Sequence, residues 1–238
     1  MLMNDKGRLF LIPTPLGEYD PAQVLPASVL EQVCKLDRFV VEELRTARRF
    51  LSKAGLKGRI EGLELHELNE HTAQNEIAAF APLFDDGHDV GLLSEAGLPA
   101  VADPGAALVA LCHRIGVEVV PLTGPSSLML ALMASGLDGQ SFAFCGYLSA
   151  KSEERRNEIK IIERISAQRR QTQIFIETPY RNDSLLEDLL KQCAPQTRLC
   201  IAADITLPDQ FIRTRTIREW RNDKPTIGKR PCVFLILA

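Results

Sequence analysis

Short apolar runs alternate with stretches of helical periodicity through the first half of the chain. Residues 8–13 (RLFLIP), 39–41, 89–93 (DVGLL) and 117–122 read as buried strands. Between and after them, residues 27–36, 45–54, 75–84 and 104–115 carry apolar positions at helical spacing, and Thr123-Gly124-Pro125 opens a helix that Gly136 stops. Asp103 before Pro104 predicts a helix start, with Asp103 as N-cap. Strands separated by helices of about 10–15 residues predict βαβ units and a parallel sheet. The nearly continuous apolar character of these strands predicts a sheet covered on both faces.

The second half changes texture. Residues 142–148, 173–176 and 198–205 predict strands, and 152–165 and 182–193 predict helices, the first densely charged. Residues 211–220 and 230–238 then read as paired strands with no helix between them. The boundary is expected near 138–142, in the Leu137–Gln140 turn. The fold class is thus α/β in two domains. Residues 1–138 form an N-terminal domain, mainly parallel sheet flanked by helices, and 142–238 a C-terminal domain of mixed sheet with helices.

Composition narrows the class. With 238 residues, 45% hydrophobic and 25% charged, the chain is neither disordered, collagenous nor a disulfide-stapled miniprotein. Its most apolar stretch, Ser126–Leu137, is shorter than the roughly 20 residues a membrane span needs. The N-terminus shows no apolar signal-peptide core, so a cytoplasmic protein is expected. The six cysteines show no C-x-x-C spacing and read as small buried hydrophobes. Net charge is −3, yet charge is segregated: residues 42–59 hold six basic and two acidic residues, and 61–89 hold eight acidic and no Lys or Arg. Residues 151–170 hold seven basic against four acidic, and 213–230 seven against two. Three basic runs on an acidic chain make an anionic partner plausible.

The G-x-G-x-x-G and G-x-x-x-x-G-K-[ST] fingerprints are absent, as are H-E-x-x-H and G-x-S-x-G. His66 and His71, in His66-Glu67-Leu68-Asn69-Glu70-His71, do not align on one helix face, which argues against a metal site. What stands out are loops at the carboxyl ends of the expected strands, where open α/β sheets bind ligands. They are Pro13–Gly17, Glu42–Arg45, Ser94–Pro99 with Asp103–Gly105, and Thr123–Ser127. Two of them run into helix N-termini, which favour anions. Glu95 caps nothing obvious and suits a ribose diol or an ammonium group.

These loops, taken in order, resemble a known family. The strings are P-T-P-L-G (13–17), E-E-L-R-T (42–46), H-E-L-N-E (66–70), S-E-A-G-L-P…D-P-G (94–105) and V-V-P-L-T-G-P-S-S (119–127). F-A-F-C-G-Y-L (142–148), A-K-S-E-E-R-R (150–156), I-F-I-E-T-P-Y-R (174–181) and A-A-D-I-T (202–206) follow. Over residues 7–238 the chain resembles the tetrapyrrole methylase-like (class III) S-adenosylmethionine methyltransferases, within them the branch that methylates small-subunit ribosomal RNA at a cytidine ribose 2′-O. The resemblance implies two α/β domains, a cofactor cleft between them, S-adenosyl-L-methionine as cofactor, ribosomal RNA as partner and a homodimer. Carried over by motif, Pro13 and Leu16 would line the cleft mouth. Glu95 and Leu98 would meet the cofactor's ribose and methionine end, Ser126 and Ser127 would contact it from the next loop, and Ala202 and Ala203 would approach the adenine side.

The chain departs from the branch at three strings. Leu44 and Thr46 stand where E-D-T-R-H-T has Thr and His, Glu95 and Leu98 where S-D-A-G-T-P has Asp and Thr, and Ala203 and Asp204 where A-R-E-L-T has Arg and Glu. These changes bear on substrate identity more than on cofactor binding. A small-molecule methyltransferase and a cofactor-binding paralogue without turnover are the rival readings. For methyl transfer to a 2′-hydroxyl, Glu43, Glu95 and Glu177 are the candidate bases. Glu43 is favoured because it ends a strand beside Arg45, which suits a phosphate. The face around Arg155, Arg156 and Lys160 is the expected RNA contact.

Overall fold

The computed structural model describes residues 6–69, 71–73 and 75–238, so Glu70 of the His66–Glu70 string lies outside the described residues. The chain divides into two compact units, residues 1–126 and 127–238.

The first unit is built on five parallel strands: β1 (Arg8–Ile12), β2 (Arg38–Val41), β3 (Glu64–Glu67), β4 (Val90–Leu93) and β5 (Glu118–Pro121), in the order β3-β2-β4-β1-β5. Both faces are covered, as the apolar strands predict. One carries Leu9, Val40, Phe84, Val90, Leu92 and Leu108, the other Phe10, Ile12, Phe39, Val41 and Leu51. Gly91 in central β4 is needed for this packing, since a Cβ there would stand 2.6 Å from Ile12 and 2.7 Å from Phe39. Between the strands lie α1 (Ala27–Val33), α2 (Leu44–Leu51) and α3 (Ala106–Ile115).

Three local expectations change. The expected helix over 75–84 is a 3-10 run over Ile77–Gly87, because Pro82 lacks an N–H and Asp85 and Asp86 leave helical geometry. The helix expected from Pro104 starts at Ala106, and Asp103 ties a turn before it by accepting from the Gly105 N–H at 2.9 Å. Strand β3, with the polar sequence Glu64–Glu67, has no apolar run to announce it and forms because β2 offers it an edge.

The second unit begins with α4 (Ser127–Ser135), which is apolar nearly all round and packs on the unit's own strands. It therefore groups with the second unit rather than with residues 1–126. Its sheet is mixed, in the order β6-β7-β10-β8-β9: β6 (Phe142–Tyr147), β7 (Thr172–Ile176), β8 (Arg198–Ala203), β9 (Phe211–Thr216) and β10 (Cys232–Leu237). The other helices are α5 (Ser152–Arg169), α6 (Asn182–Gln192) and α7 (Ile217–Asn222). The expected long strand over 211–220 is corrected, because Thr216 and Glu219 form a reciprocal capping box that starts α7. Strand β9 pairs with β8, and β10 lies between β7 and β8, so the two are not partners. Among the described residues no helix is long and apolar enough to cross a membrane.

Candidate functional site

The strand order of the first unit fixes where its loops open. The chain leaves β2 toward the edge strand β3 and leaves β4 toward β5 on the other side. Diverging connections at neighbouring strands leave a crevice at their carboxyl ends. A cavity of about 180 Å³ lies there, lined by Thr14–Tyr19 after β1, Thr46, Arg49, Phe50 and Lys53 of the α2 segment, and Glu95 and Ala96 after β4.

The loops are tied to one another. The Thr14 N–H donates to the Gly97 carbonyl at 2.9 Å, and the Gly97 N–H returns to the Thr14 carbonyl at 3.1 Å. Gly124 passes so close to Pro13 that a Cβ there would stand 2.3 Å from the proline ring. After β4 the backbone is strained: Ala100 (φ 64°) and Ala102 (φ 57°) are left-handed although neither is glycine. Such strain persists only where surroundings hold it, and it clusters at ligand-binding loops. Asp103 supplies the restraint, accepting from the Ala100 N–H at 3.3 Å as well as from Gly105.

Glu42 and Glu43, adjacent in sequence, do different work. Both oxygens of Glu43 cap α2, accepting from the Arg45 N–H at 2.8 Å and the Thr46 N–H at 2.7 Å. Those two bonds hold its carboxyl below the usual range. Glu43 is thus an N-cap, with both oxygens of the carboxylate expected to serve as base engaged on α2. Arg45 follows it on the exposed side of α2. Glu42 accepts from the Glu95 N–H and shares a hydrogen bond with the Asp103 carboxyl. Burial and the negative Asp103 and Glu95 push it up to about 7. Burial raises Asp103 as well. Each of the two neighbouring carboxyls thus disfavours the ionised form of Glu42 or is itself disfavoured by burial.

Of the expected cofactor contacts, Leu16 and Glu95 meet at this cavity. Glu95 is exposed on its wall, and the Thr46 hydroxyl donates to its Oε1 at 3.4 Å. Pro13 is buried beneath the mouth, and half-buried Leu98 is not among the lining residues. Ser126 ends the first unit and Ser127 begins α4 of the second. Ala202 and Ala203 lie fully buried in β8, paired with Val233 and Cys232.

The expected RNA face on α5 does not form as drawn. Arg155 is 2% exposed, and its guanidinium reaches Asp188 at 2.6 Å and Ser184 at 2.9 Å. A lone buried Asp188 would be costly, so this pair belongs to the core of the second unit. Arg156 bonds the other oxygen of Asp188 at 2.9 Å, and of the three only Lys160 stands clear of it. Glu177 is also buried, its Oε1 accepting from Thr178 and Arg181.

A family model described as Tetrapyrrole (Corrin/Porphyrin) Methylases matches residues 22–220. "Ribosomal RNA small subunit methyltransferase I" of Escherichia coli O157:H7 is 33% identical over 236 residues, 98% of this chain and 78% of that protein. The protein of the same name from Vibrio cholerae serotype O1 is 30% identical over the same shares of the two chains. The crystal structure of diphthine synthase has a TM-score of 0.66 at 19% identity, covering 97% of this chain and 89% of that one, a likeness of fold.

Proposed function

The chain belongs to the tetrapyrrole (corrin/porphyrin) methylase family, and we propose that it is an S-adenosylmethionine-dependent methyltransferase acting on a ribose 2′-hydroxyl of small-subunit ribosomal RNA. The observation that carries the reading is the crevice where the loops after β1, β2 and β4 are cross-tied around the exposed Glu95. Relatives at 30% and 33% identity are named as ribosomal RNA methyltransferases, which favours RNA over a small molecule.

The residues present fit the cofactor. Glu95 offers a carboxylate to a diol or an ammonium group, and Leu16 and Phe50 give apolar wall. Gly97 (φ 82°) lets backbone approach closely where any side chain would be strained. S-adenosylmethionine, when bound, supplies a methyl group on a sulfonium whose departure leaves a neutral thioether. No acid is then needed, and catalysis is chiefly alignment, which can contribute about 7–11 kcal/mol. The cross-tied loops serve that alignment.

The test is tritiated S-adenosylmethionine with small ribosomal subunits from a strain lacking this gene. Label recovered as a ribose-methylated nucleoside is expected. With the strain's whole extract in place of the subunits, label only in small molecules would favour the tetrapyrrole-type reading, and no label anywhere would leave a binding protein without turnover.

A further inference from the structure

From Leu44 to Arg59, every exposed position is arginine, lysine or glycine: Arg45, Arg48, Arg49, Lys53, Lys57 and Arg59, with Gly55 and Gly58. The inward positions Ala47, Leu51, Ala54 and Leu56 are buried in the apolar cluster on that face of the sheet. The segment contains no Asp or Glu. It is a single-sign surface, and one end of it touches the crevice, because Arg49 and Lys53 line the cavity.

Such an arrangement is a local liability. Arg45, Arg49 and Lys53 are spaced four residues apart, and each like-charged pair at this spacing costs about 0.2–0.5 kcal/mol. Arg48 and Arg49 sit in the last turn of α2, where the helix dipole favours cations, but Arg45 is in the first turn, where it does not. A merely soluble helix face would mix signs. Among the described residues the strip's one ion pair is Arg49 with Glu18, at 2.6 Å. Arg59 donates to the Cys34 carbonyl at 2.8 Å.

The other two basic runs are more heavily engaged. On α5, Arg155 and Arg156 share Asp188, Lys151 pairs with Glu154, and the same helix carries four acidic residues. In the run over 213–230, Arg215 pairs with Asp223, Lys224 with Glu187 and Arg230 with Asp204, while Arg221 donates to the Leu190 and Cys193 carbonyls. The strip on α2 is the least neutralised of the three and the one that reaches the reaction crevice.

We propose that the face Arg45–Arg48–Lys57, continued by Arg49 and Lys53 at the crevice, grips the phosphates of the RNA substrate next to the ribose to be methylated. The inference rests on the RNA reading above. On α2, Arg45 and Arg49 at four-residue spacing rise about 6 Å apart, comparable to neighbouring phosphates of an extended strand. Arginine suits this task through its planar fork of donors.

The test uses the full chain and a triple variant, Arg45→Gln, Arg48→Gln and Lys57→Gln, at exposed positions that do not line the cavity. A control triple on α5 is Lys160→Gln, Arg164→Gln and Arg169→Gln. The probes are a short fluorescein-labelled single-stranded RNA of mixed sequence and intact small ribosomal subunits. For wild type, log affinity should fall with log salt, and the α2 triple should flatten that slope by about two, at about 0.7 per lost contact. Its affinity at low salt should drop at least about tenfold, with S-adenosylmethionine affinity unchanged, the thermal midpoint unchanged or slightly raised by the relieved like-charge repulsion, and the α5 triple close to wild type. If the α2 triple keeps the wild-type affinity and slope while wild type methylates ribosomal RNA, this inference is overturned and the proposed function stands. If wild type binds the cofactor but shows no salt-dependent RNA binding, both are overturned. An α2 triple that binds the free RNA normally but fails on intact subunits would assign the strip to a ribosomal protein and overturn the phosphate contact.

Discussion

Replacing Glu42 by glutamine should remove a pH dependence of stability from the first unit. A folded-state carboxyl raised from the ordinary glutamate value to about 7 means that the native protein binds more protons than the unfolded chain across that interval. Stability then falls as pH rises through it and levels off above. The full shift corresponds to about 3 kcal/mol. Glu42 is only partly buried and solvent screens it, so about 1–1.5 kcal/mol is the realistic contribution. Glutamine is a close mimic of the protonated acid. Its amide donates to Asp103 and its carbonyl accepts from the Glu95 N–H, but it does not titrate. The readout must see the first unit alone. Trp220, the single tryptophan, lies in α7 of the second unit, so it reports that unit directly and the first only where the two unfold together. Hydrogen exchange of peptides covering β2 and β4, corrected for the intrinsic pH dependence of exchange, is suitable. Between about pH 5 and about pH 8 the wild type should lose about 1–1.5 kcal/mol more protection than Glu42→Gln. Equal pH slopes for the two proteins would refute the raised carboxyl of Glu42.

Three substitutions test other parts of the account. Asp188→Ala leaves the Arg155 guanidinium buried without its partner and should cost about 3–5 kcal/mol, against under about 1 for the half-exposed Arg156→Gln, both by urea unfolding followed at Trp220; equal losses would contradict the burial argument. Glu43→Ala should lower stability by about 1 kcal/mol through the lost cap while methyl transfer at saturating donor persists. A large loss of turnover with unchanged stability would restore Glu43 as the base. Gly124→Ala puts a Cβ 2.3 Å from Pro13 and should cost about 1–3 kcal/mol, whereas Gly139→Ala, with nothing within 4 Å, should be near neutral in thermal melts.

The parallel half of the fold was legible because its strands are continuous apolar runs, a pattern that only a doubly covered sheet explains. Strand β3 was not, since Glu64–Glu67 gains its place from pairing with β2 rather than from its own composition. The start of α7 was legible in principle: Thr216 and Glu219 spell a capping box, but the alternating Phe211–Thr216 run ahead of it suggested one long strand. At the site, the loop positions followed from strand ends, and Leu16 and Glu95 do meet there. The division of labour between Glu42 and Glu43 did not follow, because it depends on Asp103, about sixty residues away in sequence and adjacent only once β2 and β4 pair. The burial of Arg155 is not legible for a related reason. A charged helix reads as solvated until the residue that neutralises it, Asp188 on α6, is brought under it.

The central claim is that the crevice at the carboxyl ends of β1, β2 and β4 holds the methyl donor, and calorimetric titration tests it most directly. S-adenosylmethionine and its demethylated product should bind the wild type, with neither NAD nor ATP binding comparably. Glu95→Ala should weaken the cofactor about tenfold or more, as expected for a lost hydrogen bond worth about 1.5–3 kcal/mol to a charged group, while leaving the melting temperature of the ligand-free protein in place. No binding of either compound up to millimolar concentration, or a Glu95→Ala variant that melts early yet binds normally, would contradict the account.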